Sequence, residues 1–126
     1  MKIEHIAFNV KDPVAMAAWY VEHLSLEVVV HKPEAHQTHF LADGSGSFIE
    51  IYCNPEDAVP DYPSQDPLIF HLAFVSADPA QDAERLIAAG AEFVEEVVLD
   101  AGTQLIMLRD PWGLALQLCK RSQPFV

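Results

Sequence analysis

Ile3-Glu4-His5-Ile6-Ala7-Phe8 and Ile69-Phe70-His71-Leu72-Ala73-Phe74 are two versions of one segment. A displacement of 66 residues carries His5 onto His71, Phe8 onto Phe74 and Asp12-Pro13 onto Asp78-Pro79 without a gap. One residue further out the match resumes. Asp43-Gly44-Ser45-Gly46 answers Asp110-Pro111-Trp112-Gly113, and Ile49-Glu50-Ile51 answers Leu116-Gln117-Leu118. Self-similarity at a fixed offset marks a repeated architecture, so the chain reads as a module built twice. His5, Glu50, His71 and Gln117 are then equivalent positions, two from each copy.

The local patterns give each copy the order βαβββ. Period-2 alternation over residues 3–10 puts Ile6, Phe8 and Val10 on one strand face and Ile3, His5, Ala7 and Asn9 on the other. Asp12 is placed to cap a helix with Pro13 in its first turn, and Met16, Trp19, Tyr20, His23 and Leu24 follow at helical spacing. Strands are expected over 26–31, 37–41 and 48–53, with a turn at Asp43-Gly44-Ser45-Gly46. The second copy predicts a strand over 68–75, a helix over 79–89 closed by Gly90, and strands over 92–99, 103–108 and 114–120. Residues 54–67 hold four prolines and four acidic residues, a composition that resists helix and ladder hydrogen bonding alike. The expected organisation is a first module over 1–53, a Pro-rich acidic linker over 54–67 and a second module over 68–126, together one α+β domain.

A chain of 126 residues with 51% hydrophobic content suits two small modules that share an interior. No apolar run approaches the roughly 18 residues of a membrane span. The strand pattern begins within three residues of the start, which leaves no room for a secretory leader and predicts a cytoplasmic protein. The net charge of −12 opposes phosphate-backbone attraction and argues against nucleic acid as a partner. Cys53 and Cys119 are expected to be reduced, small hydrophobes on strands.

Strand parity sets the candidate chemistry. Phe48, Glu50 and Tyr52 share one face of their strand, opposite Ile49, Ile51 and Cys53. His71 is opposite in parity to Phe70, Leu72 and Phe74, and Gln117 to Leu116 and Leu118. Each copy can therefore pack its bulky face under its helix and leave the histidine with the carboxylate or amide on the other side of the sheet. Imidazole nitrogens combined with carboxylate and amide oxygens suit a borderline divalent cation such as Zn²⁺, Ni²⁺, Co²⁺, Mn²⁺ or Fe²⁺. Such an ion would offset the cost of an anion at Glu50 within Phe48-Ile49-Glu50-Ile51-Tyr52. The alternative for each histidine is a buried imidazole satisfied by backbone carbonyls. His31, His36 and His39 match no tight metal motif. His39, on an inner strand, is a candidate to orient a substrate, and Tyr52, beside Glu50, a candidate lining residue.

The repeat, these four positions and the Asp-Pro-Trp-Gly turn before the last strand resemble the vicinal oxygen chelate superfamily, the glyoxalase, bleomycin-resistance and extradiol-dioxygenase group. The resemblance covers nearly the whole chain. It implies paired βαβββ modules whose mixed sheets curl into a cradle, with a divalent metal held by His5, Glu50, His71 and Gln117, and it implies a homodimer. It also implies a metal-dependent lyase or isomerase acting on a small carbonyl compound through an enediolate-type intermediate, with Glu50 as the catalytic base. Gln117 departs from the glutamate that glyoxalase-like members carry there, because an amide can ligate but cannot take a proton near neutral pH. The alternatives are a bleomycin-resistance-type protein that sequesters a small molecule, and an extradiol-type Fe²⁺ dioxygenase.

Overall fold

Asp12 and Asp78 start two helices in the same way in the computed structural model, which describes residues 1–125. Asp12 Oδ1 accepts from Ala15 N at 3.0 Å and Asp78 Oδ1 from Gln81 N at 3.1 Å, each with proline at the first helical position. A side chain that satisfies an orphan amide at a helix start is worth about 1 kcal/mol, and proline there loses no hydrogen bond. The helices are α1 (Pro13–Leu24) and α2 (Pro79–Ala88).

By its backbone contacts the chain divides into Met1–Pro60 and Asp61–Val126. The first unit contains β1 (His5–Asn9), α1, β2 (Glu27–Lys32), β3 (Thr38–Ala42) and β4 (Phe48–Tyr52). Its sheet has the order β1-β4-β3-β2, with β1 parallel to β4 and the remaining pairs antiparallel. The second unit contains β5 (Leu72–Val75), α2, β6 (Glu92–Asp100), β7 (Thr103–Arg109) and β8 (Ala115–Lys120), in the order β5-β8-β7-β6. Duplication extends to the register. Ile6 pairs with Ile49 and Ala7 with Glu50; Leu72 pairs with Leu116 and Ala73 with Gln117. These are the partners that the 66- and 67-residue offsets require.

Each helix covers one face of its own sheet. In the first unit Met16, Tyr20, Leu41 and Ile51 are no more than 1% exposed, and in the second Leu86, Leu108 and Leu116 are fully buried. The bulky parity face predicted for each copy is thus the core face, and burying a leucine-sized side chain there contributes about 1.5–3 kcal/mol.

The start of β5 differs from expectation. Asp66 Oδ1 accepts from Leu68 N at 2.9 Å and Asp66 O accepts from Ile69 N at 2.9 Å. An aspartate that captures the amide two residues on builds a turn, so the segment predicted as strand from residue 68 turns until β5 begins at Leu72. His71 therefore stands immediately before β5, whereas His5 is the first residue of β1.

The prolines at 60, 63 and 67 do not exclude helix altogether, because Tyr62–Ser64 forms one 3₁₀ turn with Pro63 in its first positions. Arg109 fastens that stretch. Its Nη1 donates to Tyr62 O and Gly113 O, both at 3.0 Å, and its Nη2 donates to Gln65 O at 2.6 Å. Tyr62 is only 9% exposed. Residues 61–65 are thus built into the second unit.

Candidate functional site

The first unit brings His5 and Glu50 together. Glu50 pairs with Ala7 on one side and Phe40 on the other, so His5, Ala7, Glu50 and Phe40 share the face turned away from α1. His5 Nε2 is 3.2 Å from Glu50 Oε2, with the side chains 34% and 20% exposed. The other ring nitrogen, Nδ1, hydrogen-bonds Glu4 Oε2. Phe40 meets the imidazole edge-on, with ring centroids 5.5 Å apart, an arrangement that fixes ring orientation. Glu4 escaped the sequence reading because strand neighbours point to opposite faces. Glu4 lies before β1 begins, where that alternation does not hold.

The second unit carries the equivalent residues, Gln117 on β8 and His71 just before β5. Gln117 sits on β8 between Ala73 and Met107, on the face opposite the leucines that pack under α2. Its Oε1 accepts from Cys119 Sγ at 3.2 Å. His71 is half-buried, and its Nδ1 donates to Pro67 O at 2.8 Å. An imidazole whose Nδ1 is held by an acceptor presents Nε2 with a free lone pair. Metal-binding histidines are oriented by such a partner on the far nitrogen. Both His5 and His71 carry one, a carboxylate in the first unit and a carbonyl in the second. Imidazole nitrogen with a carboxylate or amide oxygen is donor chemistry that suits a divalent cation, although among the described residues no three or more His, Cys, Asp or Glu side chains form a group that could hold one.

Tyr52 lies on β4 opposite Asn9, on the same face as Glu50. His39 faces the other way. It pairs with Ile51, which is fully buried on the α1 side, and is itself only 6% exposed. The structure therefore does not bring His39 beside Glu50. Its Nδ1 bonds Gln37 O at 2.6 Å and its ring stacks on His31 with centroids 4.0 Å apart. Burial holds the His39 pKa below the ordinary histidine value; the Gln37 carbonyl pulls it up and His31 pushes it further down. A folded pKa below the unfolded one means that the unfolded chain takes up this proton first on acidification. Stability is expected to fall as the pH drops through about 6.5 and to level off once the pH is below the folded value. Urea titrations at a series of pH values should show this component in the wild type and not in His39→Gln.

The matched family model covers residues 2–118 and is described as the glyoxalase/bleomycin resistance protein/dioxygenase superfamily. The chain belongs to that superfamily, and its tandem modules have the glyoxalase-like fold. Similar solved structures include a glyoxalase family protein from Enterococcus faecalis, 31% identical, with 94% of this chain and 96% of that one covered and a TM-score of 0.69. TnmS3, an antibiotic binding protein from Streptomyces sp. CB03234, is 19% identical, with 94% of each chain covered and a TM-score of 0.71. A glyoxalase-related enzyme from Fulvimarina pelagi is 19% identical, with 94% and 87% covered and a TM-score of 0.71. A search of the curated proteins finds no match. Among the described residues no helix is long and apolar enough to cross a membrane.

Proposed function

We propose that this protein is a metal-dependent lyase or isomerase of the superfamily, acting on a small carbonyl compound, with His5, Glu50, His71 and Gln117 as ligands to a divalent ion. The observation that carries this reading is the 3.2 Å approach of His5 Nε2 to Glu50 Oε2 on the sheet face turned away from α1, with His71 and Gln117 at the corresponding positions of the second unit. When bound, a Zn²⁺, Ni²⁺, Co²⁺, Mn²⁺ or Fe²⁺ ion would polarise the substrate carbonyl and raise the acidity of the adjacent carbon. The chain's own residues do the rest. Glu4 and Pro67 O orient the two imidazoles, and Glu50 is the carboxylate placed to take the proton from that carbon and return it. Gln117 can offer an oxygen but cannot share the proton transfer. We place the protein in the cytoplasm as a homodimer, in keeping with the superfamily. Elemental analysis of the purified protein, with calorimetric titration of Zn²⁺, Ni²⁺, Co²⁺, Mn²⁺ and Fe²⁺, tests the reading; absence of tight binding by all five would overturn it.

Gln117→Glu is expected to tighten metal binding by about tenfold through the added anionic oxygen. An unchanged affinity by calorimetry would place residue 117 outside the ligand set.

A second reading is sequestration of a small molecule without chemistry. It draws on Gln117, which removes one of two symmetric bases, and on the shared fold of TnmS3, described as antibiotic binding. Tight ligand binding indifferent to chelator, with no turnover of any carbonyl substrate, would favour it. An extradiol-type dioxygenase would instead consume oxygen with catechols after anaerobic loading with iron.

A further inference from the structure

A groove of about 270 Å³ opens beside His5 in the first unit, lined by Glu4, Val29, Val30, Lys32, Phe40 and Phe48. That is just under the roughly 300–1,000 Å³ of typical ligand pockets. Its position follows from the register. Phe48 is the strand partner of His5, Phe40 is the strand partner of Glu50, and Val30 pairs with Phe40. The groove therefore continues the His5/Glu50 face towards β2. A bulge between Val28 and Val30 leaves Val29 without a pairing partner. An extra residue in one strand re-aims side chains locally, and here Val29 and Val30 both line the groove. They remain 48% and 40% exposed, an unfavourable state for two adjacent valines on an edge strand unless something covers them.

The two charges on the groove differ in what they are committed to. Glu4 is hydrogen-bonded to His5 Nδ1. The Lys32 ammonium makes no ion pair or hydrogen bond to any described residue, in a chain where acidic residues outnumber basic ones 19 to 7. An uncommitted ammonium at the end of a short apolar slot selects an anion joined to an apolar group.

We propose that the groove sets substrate class: it takes an aromatic or branched aliphatic substituent against Phe40, Phe48, Val29 and Val30, with a carboxylate on Lys32, so that the compound is a small apolar oxo acid. This rests on the reading of His5 and Glu50 as the reacting end of the same face. A peptide-linked thiol adduct, with several charged groups, does not match one lysine and a slot of this volume.

Phenylpyruvate, phenylacetone and pyruvate serve as probes, titrated into the full chain in the presence of chelator while the methyl resonances of Val29 and Val30 are followed by NMR. Phenylpyruvate is expected to shift both valines, and pyruvate to bind at least about tenfold more weakly for lack of the ring. Lys32→Met, an exposed edge-strand change that leaves the core alone, should weaken phenylpyruvate about fivefold and leave phenylacetone unchanged. Phe40→Ala should weaken both, with its melting curve recorded alongside. No valine shift at millimolar probe, or shifts indifferent to Lys32→Met and Phe40→Ala, overturns the proposal. So does self-association that covers Val29 and Val30 and bars the probe. Because the titration is run without metal, probe binding with no metal affinity would sink the lyase reading alone, and metal affinity with no groove binding would sink this one alone.

Discussion

Glu50→Ala is expected to cost the protein about 100-fold or more in divalent-metal affinity, with only a small change in the melting temperature of the metal-free form. Outer partners of metal ligands already cost about 10–100-fold when removed, and Glu50 is the one anionic oxygen among the four proposed donors. Fold stability should survive because the side chain belongs to the sheet face turned away from α1. Its carboxylate meets His5, and the residues buried under α1 on the neighbouring positions, Ile51 and Leu41, are untouched. Glu50→Gln keeps an oxygen donor without the charge and should fall between wild type and alanine. His5→Ala and His71→Ala should each lose a comparable factor, while Glu4→Ala, which frees the far nitrogen of His5, should lose about tenfold. Calorimetric titration of one metal across this series checks all five. Equal affinities for wild type and Glu50→Ala would remove residue 50 from the ligand set, and a loss with His5→Ala but not with His71→Ala would confine the site to the first unit.

The part of this arrangement that could be read in the sequence is the part set by alternation and by offset. Strand parity puts His5 and Glu50 opposite Phe8 and Ile51, and a duplicated register puts Gln117 where Glu50 would be; both follow from side chains alternating every residue. The helices were legible because Asp12-Pro13 and Asp78-Pro79 combine a capping side chain with a residue that tolerates the first turn. What parity could not give lies at the ends of elements. Glu4 reaches its own neighbour because it is not in the strand. Asp66 ends the presumed strand at 68–70 by taking the amide that a ladder would need. His39 has the residue type of a site histidine, and only its pairing with Ile51 shows that it belongs to the core side. The Arg109 clip is longer in range still, joining positions more than 40 residues apart through backbone carbonyls that carry no sequence signature.

Gly113→Ala is expected to destabilise the second unit by about 2–5 kcal/mol, and Gly46→Ala, at the corresponding turn of the first, by about 1–2 kcal/mol. Both glycines have positive φ, +98° at Gly46 and +91° at Gly113, so each substitution carries the strain of an L residue in left-handed backbone. The surroundings separate them. A Cβ on Gly46 meets nothing within 4 Å, whereas one on Gly113 would stand 2.3 Å from Pro63 Cγ, 2.6 Å from its Cδ and 2.8 Å from its nitrogen. Relief would require Pro63 to withdraw, and its ring has no flexible end to swing aside. Nor can the backbone yield freely. Tyr62 O and Gln65 O, on either side of Pro63, are held by Arg109, which also holds Gly113 O. Against a total stability of about 5–15 kcal/mol for a domain of this kind, a loss of that size should be plain in urea unfolding at pH 7.5. Pro63→Ala in the same chain removes Cγ and Cδ but leaves the backbone nitrogen, so it should recover part of the Gly113→Ala loss and none of the Gly46→Ala loss. Coupling between contacting residues reaches about 0.5–3 kcal/mol. A Gly113→Ala cost no larger than that of Gly46→Ala, or a cost unaffected by Pro63→Ala, would mean that the 61–65 segment is not packed on the last turn as firmly as its two carbonyl bonds to Arg109 require.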